Sequence, residues 1–231
     1  MFYVLKTSLD KLKVYYETCV IQSPQPAPTR YFPSITTYPD ENGLQVQFRY
    51  LGYLERGLDC VTLHAETLTG PIRHIVVKFV ESYSEQAHRI LAEKGRAPRL
   101  LYHGSMHFYT EQPSYDSVSM VVMEYIDGDT FALAKSKMSK GMIRTVRTEL
   151  KNALTLLHEK QLVFGDLRPP NVMITKEKKV MLIDFDWAGI AGLVQYPHQL
   201  SSAVKWPEGV QALGPIRQEH DLAMLDKLFA A

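Results

Sequence analysis

Cysteine is scarce in this chain. It holds two, Cys19 and Cys60, too few for a disulfide framework, which points to a reducing intracellular, cytoplasmic setting; a single bridge stays open. An excess of one charge is missing as well. Lys and Arg number 26 against 25 Asp and Glu, for a net charge of +1, so no global field draws the protein to nucleic acid or to an anionic membrane. No apolar run approaches the roughly 20 residues needed to cross a bilayer. The opening MFYVLKTSLDKLKVYYETC lacks the basic segment, apolar core and small-residue cleavage site of a secretion signal. The eight histidines are scattered without zinc-site spacing, and His88, His103 and His158 read as packing or surface residues. Neither a Gly-x-Ser-x-Gly elbow nor a Cys/His pair suggests a hydrolase. What remains is a chain of 231 residues, 45% of them hydrophobic, which can bury a core of one or two domains and is not disordered.

The first forty or so residues read apart from the rest. Residues 23–43, SPQPAPTRYFPSITTYPDENG, carry five prolines and close on an Asn-Gly turn signal, so residues 1–43 are expected to form an N-terminal extension. From Leu44 apolar and polar side chains alternate in LQVQFRYLG, again in LDCVTLHAETL, and a third run ends in IRHIVVKFV; these predict three antiparallel strands. A helix follows in SEQAHRILAEKG, capped by Ser84 and stopped by Gly95. Two more strands fit around Leu100–Tyr102 and Val118–Glu124. After Asp127-Gly128 the pattern turns helical, with Met142, Val146, Leu150, Ala153, Leu154 and Leu157 on one face. Their role is core packing.

Residues 162–189, LVFGDLRPPNVMITKEKKVMLIDFDWAG, carry the chemistry. Asp166 and Asn171 stand five residues apart in a Pro-rich loop, and Asp184 ends an apolar strand. Short strands over 172–174 and 180–183, joined by a lysine-rich turn, hold Asn171 at one end and Asp184 at the other. One acid able to take a hydroxyl proton, beside an amide and a second acid able to hold magnesium, is what phosphoryl transfer needs.

The order D-x-x-x-x-N, then apolar-D-F, resembles the catalytic and metal-binding loops of the protein-kinase superfamily. More narrowly, LVFGDLRPPN, LIDFDWAG, VVMEYIDG and WPEGV resemble kinase-like proteins widespread in mushroom-forming fungi. The resemblance implies an α+β, protein-kinase-like two-lobed fold, with a β-rich N-lobe over 44–126 and a shortened, mainly helical C-lobe over 127–231. It implies ATP and magnesium as ligands. Asp166 would be the base, Asn171 and Asp184 the metal ligands, and Arg168 a contact for the transferred phosphate. Lys78 in HIVVKFV matches the lysine on the nucleotide phosphates, with Glu85 its helix partner and Glu93 the runner-up. Gly52 and Gly57 match the first and third glycines of the phosphate loop, with Leu54 at the middle position. Met123 would be the gatekeeper, and the backbone of Glu124 and Ile126 would bind adenine. His220-Asp221 resembles the region whose buried aspartate ties down the catalytic loop.

Several positions depart from the family pattern. Phe164 and Gly165 replace the histidine and arginine before the catalytic aspartate, so control through a phosphorylated activation loop is not expected. Asp186 replaces the glycine of D-F-G and adds a third carboxylate whose role stays open. Trp206-Pro207-Glu208 resembles A-P-E, but the later helices that pair its glutamate have no counterpart. Two functions therefore compete: a phosphotransferase acting on a protein Ser/Thr or a small-molecule hydroxyl, and a pseudokinase serving as a nucleotide-binding or interaction module. A third reading is a fragment whose missing helices matter for folding.

Overall fold

The computed structural model describes residues 2–18, 33–56, 61–106 and 118–230. Cys19, Cys60, Gly57 and the proline cluster at 23–28 lie outside these residues. Two compact units divide the chain, Met1–Ile35 and Thr36–Ala231. In the first, helix α1 spans Phe2–Thr18, with Leu5, Leu9 and Leu12 at helical spacing. No helix was expected there.

In the second unit a six-stranded antiparallel sheet comes first. Its strands are β1 (Thr37–Pro39), β2 (Gln45–Arg56), β3 (Val61–Thr67), β4 (His74–Val80), β5 (Leu100–Ser105) and β6 (Ser119–Glu124), in the order β1-β2-β3-β4-β6-β5. The β1 strand falls in the stretch read as an extension. It belongs to the sheet because Tyr38, 4% exposed, packs its ring 6.1 Å from Phe48 and 6.3 Å from Tyr102. That places β1 and β5, the two edges of the sheet, in contact across a curled surface. A hollow of about 640 Å³ sits between them, bordered by Tyr38, Arg73, Arg99 and Tyr102; it contains none of the predicted catalytic side chains.

Between β4 and β5 lies α2 (Glu85–Glu93), whose first turn is capped by the Ser84 hydroxyl accepting from the Ala87 amide at 3.3 Å. Gly95 ends it with φ of +65°, a left-handed conformation that favours glycine. One face of α2, through Ala87 and Leu91, is fully buried.

Beyond β6 the chain crosses to the second half. Strand β7 (Gly128–Thr130) leads into the short helix α3 (Phe131–Ala134) and the long helix α4 (Lys140–His158). A Cβ on Gly128 would lie 2.2 Å from the Ile174 carbonyl oxygen, so only glycine permits this close crossing. Ser139 caps α4, accepting from the Met142 amide at 3.2 Å. Its stripe of Val146, Leu150, Ala153, Leu154 and Leu157 is buried as the periodicity predicted. Each fully buried leucine contributes on the order of 2 kcal/mol.

Short strands β8 (Leu162–Val163), β9 (Val172–Thr175), β10 (Val180–Leu182) and β11 (Gly189–Ile190) follow, and α5 (Gln218–Phe229) closes the unit. Strands β10, β9 and β7 form one small sheet, and β11 pairs with β8 in another. Antiparallel pairing of Leu182 with Val172, and a 3.0 Å bond from the Ile183 amide to the Asn171 carbonyl, bring the two functional loops together. One hydrophobic cluster runs from α2 through α4 to α5, joined by Leu182 and Phe185. Among the described residues no helix is long and apolar enough to cross a membrane.

Candidate active site

A cleft of about 490 Å³ lies between the large sheet and the small strands. Lys78, Met123, Glu124, Ile126, Asn171 and Asp184 all line it. They come from β4, from the end of β6, and from the two loops that β9 and β10 position. Leu54 forms part of its roof and Met173 part of its floor. Gly52 does not line it. It lies within β2 opposite His64, between two register shifts, and a side chain there would meet open space. Gly57 lies outside the described residues.

Lys78 is 4% exposed, and its ammonium donates to Asp184 Oδ1 at 2.6 Å and to Asp186 Oδ2 at 2.7 Å. Glu85, expected to hold this lysine, instead accepts from Arg89 Nε at 2.6 Å and pairs with His103 Nδ1 at 3.0 Å. Position 85 begins the helix just after its cap and points to the α2 surface, where an i,i+4 arginine is available. Glu93 is exposed at the other end of α2.

The two acids after β10 titrate apart. Burial raises the Asp184 carboxyl, but the Lys78 ammonium, together with the Asp186 hydrogen bond and the Arg168 charge, leaves the pKa lowered. Burial and the negative charge of Asp184 push Asp186 up, to about 7. Among the described residues Asp186 Oδ1 is buried without a hydrogen-bond partner. Asp184 adopts φ of +70°, a conformation costing a non-glycine residue about 1–3 kcal/mol and typical of functional positions. Between them, Phe185 is buried, stacked on His88 at 4.6 Å and edge-on to Phe164 at 5.5 Å. That stack couples α2 to the loop.

Asp166 is 3% exposed. Arg168 grips both its oxygens, Nε to Oδ1 and the second nitrogen to Oδ2, each at 2.5 Å, and lies 5.8 Å from the centre of the Trp187 ring. Asn171 Nδ2 donates to Asp166 Oδ2 at 2.9 Å and to its backbone carbonyl at 3.0 Å, which leaves the amide oxygen for a ligand. Burial raises the Asp166 pKa against the opposing pull of Arg168. The arginine was expected to face a phosphate; here it neutralises the predicted base.

Gly165 explains its own departure from the family pattern. Its φ is +82°, and a Cβ would lie 2.9 Å from the Trp187 carbonyl oxygen, so an arginine there would be strained and obstructed. Asp221, 1% exposed on α5, accepts the Phe164 and Gly165 amides at 2.8 Å each and His158 Nε2 at 3.0 Å. The loop that carries Asp166 is thereby fixed from behind. Glu208 is exposed and has no ion pair among the described residues.

The donor set suits magnesium. Among the described residues no group of three or more His, Cys, Asp and Glu forms a cage for a metal. One carboxylate and one amide oxygen on a shared cleft wall are what magnesium takes when substrate phosphates complete its shell. Asn171 and Asp184 would hold it.

Two lobes around a cleft, with a buried lysine, an acid–amide loop and a second acid, define the protein-kinase class. Residues 72–206, more than half of the chain, match the protein kinase domain family, and the chain belongs to it. Serine/threonine-protein kinase PknF of Mycobacterium tuberculosis is 29% identical over 111 residues, covering 44% of this chain and 23% of that protein. Probable serine/threonine-protein kinase mkcB of Dictyostelium discoideum is 40% identical over 72 residues, covering 30% of this chain and 10% of its own length. The chain thus spans less than a quarter of the length of these curated relatives. In fold it is similar to the Cydia pomonella granulovirus kinase PK-1, with a TM-score of 0.59 and 16% identity over 77% of this chain and 65% of that one.

Proposed function

We propose that this chain is an ATP- and magnesium-dependent phosphotransferase that moves the γ-phosphoryl group to a hydroxyl, with a protein serine or threonine as acceptor. The observation that carries this is the convergence of Lys78, Asn171 and Asp184 in one cleft, with Asn171 also holding Asp166. The acceptor class rests on the printed names of its relatives, both serine/threonine-protein kinases; a small-molecule hydroxyl is the other option. Residues 44–126 and 127–231 would act as the two lobes, with the backbone of Glu124 and Ile126 reading adenine. We place the chain nearest the fungal kinase-like group on LVFGDLRPPN and LIDFDWAG.

Lys78 would neutralise the phosphates that enter beside Asp184. Bound magnesium would supply charge neutralisation at the phosphoryl oxygens. Asp166 Oδ1 or Oδ2 must accept the proton of the incoming hydroxyl, so the bidentate grip of Arg168 has to loosen first. Once released, the guanidinium is placed to meet charge developing on the transferred group.

That same grip favours a second reading, in which Asp166 stays neutralised and the chain is a pseudokinase that binds nucleotide or partners without transfer. Phosphate transfer from ATP to a generic protein acceptor separates the two. The wild type should transfer with magnesium, and Asp184→Ala should lose about 10²-fold or more of that turnover. Equal turnover in the variant overturns the assignment. A wild type that binds magnesium-ATP but transfers nothing establishes the pseudokinase.

A further inference from the structure

We propose that Asp186 is the positioning residue that anchors Lys78 from the metal loop, in place of a carboxylate from helix α2. This rests on the phosphotransferase reading of the cleft, and it assigns a role to the third carboxylate of that site.

Lys78 is buried, and a buried ammonium needs a hydrogen-bonded counter-charge. The α2 helix has no carboxylate in place to provide one. Glu85 is held by Arg89 and His103, and Glu93 is exposed at the far end. Ser84, the N-cap just before α2, meets the loop through its backbone: its amide donates to the Phe185 carbonyl at 3.1 Å while its hydroxyl caps the helix. The carboxylate comes instead from Asp186, 2.7 Å from Lys78 Nζ.

Asp184 also touches the lysine, but it is the residue with a second task. When Asp184 turns to a metal, Asp186 remains as the anchor. The Oδ2 of Asp186 is directed at the lysine, as a charge clamp requires, while among the described residues its Oδ1 is buried without a hydrogen-bond partner. Anchoring from the loop has a mechanical consequence. Lysine position is set by the segment carrying Asp184, with no requirement that α2 swing inward to assemble the site.

The test is affinity for ADP, measured in EDTA and again with magnesium, in full-length wild type, Asp184→Asn, Asp186→Asn, and Asp186→Gly with and without Ser84→Glu. Asp186→Asn is near-isosteric, which keeps the fold. It should weaken metal-free ADP binding by about tenfold, the scale of one hydrogen bond to a charged group, with the gain from magnesium unchanged. Asp184→Asn should lose the magnesium gain, the mark of a metal ligand that Asp186→Asn lacks. Ser84→Glu should restore metal-free affinity to the Asp186→Gly chain by returning a carboxylate to α2. If Asp186→Asn abolishes the magnesium gain, Asp186 is a metal ligand and the proposal falls. It falls equally if metal-free affinity does not change.

A second readout needs no nucleotide, so it decides the matter even if wild type binds no ADP and the phosphotransferase reading fails. Acylation of Lys78 by an amine-reactive ester, followed by mass spectrometry, should be several-fold faster in Asp186→Asn, because its Nζ loses a hydrogen-bonded carboxylate. It should slow again in Asp186→Gly with Ser84→Glu. Equal labelling in wild type and Asp186→Asn overturns the anchor.

Discussion

Asp221 offers a prediction whose size follows from its contacts. Its two oxygens accept the Phe164 and Gly165 amides at 2.8 Å, and Oδ2 also meets His158 Nε2 at 3.0 Å. Both amides belong to buried residues. Asp221→Ala removes all three of these bonds and leaves the two buried backbone N–H groups unpaired. Each unpaired group costs about 1–3 kcal/mol, so the variant should lose about 3–5 kcal/mol. In Asp221→Asn the amide oxygen can occupy the Oδ2 position and keep Phe164 and His158. Its NH2 group then faces the Gly165 amide, donor against donor, for a loss of about 2 kcal/mol. Urea unfolding with a common m-value reads both numbers, and for a chain of this size the alanine variant should melt about 10 °C lower. Because Asp166 directly follows Gly165, turnover should fall further than the population of folded protein explains. A loss under about 1 kcal/mol in Asp221→Ala would refute the claim that this carboxylate holds the loop.

Gly165→Ala tests the same loop from its backbone. A left-handed φ and a Cβ 2.9 Å from the Trp187 carbonyl should destabilise it by about 1–3 kcal/mol, read by urea unfolding; an unchanged midpoint contradicts it. His88 makes stability depend on pH. Burial lowers its pKa from 6.5 to about 4, consistent with a neutral ring that accepts from the Tyr83 hydroxyl and donates to the Pro98 carbonyl. The unfolded chain takes up this proton near pH 6.5, so the contribution is fully present above that pH and is lost as pH falls towards 4. The stability difference between wild type and His88→Gln should therefore shrink by about 3 kcal/mol between pH 7 and pH 4. A difference that stays flat across that window removes His88 as the cause.

Local chemistry was enough to find most of the elements and the chemical groups. Alternation marked β2, β3 and β4, Ser84 and Gly95 bounded α2, and the apolar stripe of α4 was legible because each signal repeats with the period of its own structure. The spacing of Asp166, Asn171 and Asp184 could be read because two short strands fix those distances along the chain. Strand β1 was not legible. Three residues, the last of them a proline, have no periodicity, and Phe48 and Tyr102, distant in sequence, give Tyr38 a place to be buried. The lysine's partner was misassigned for a related reason. Glu85 has a fitting residue type and position in order, but ion pairing depends on where a helix face points. His103 and Arg89 claim Glu85, while Asp186 reaches Lys78 from 108 residues away. Sequence alone thus determined the inventory of charged groups and the strands that carry them. Tertiary packing alone decided which charges meet, because a buried ammonium selects the nearest carboxylate in space.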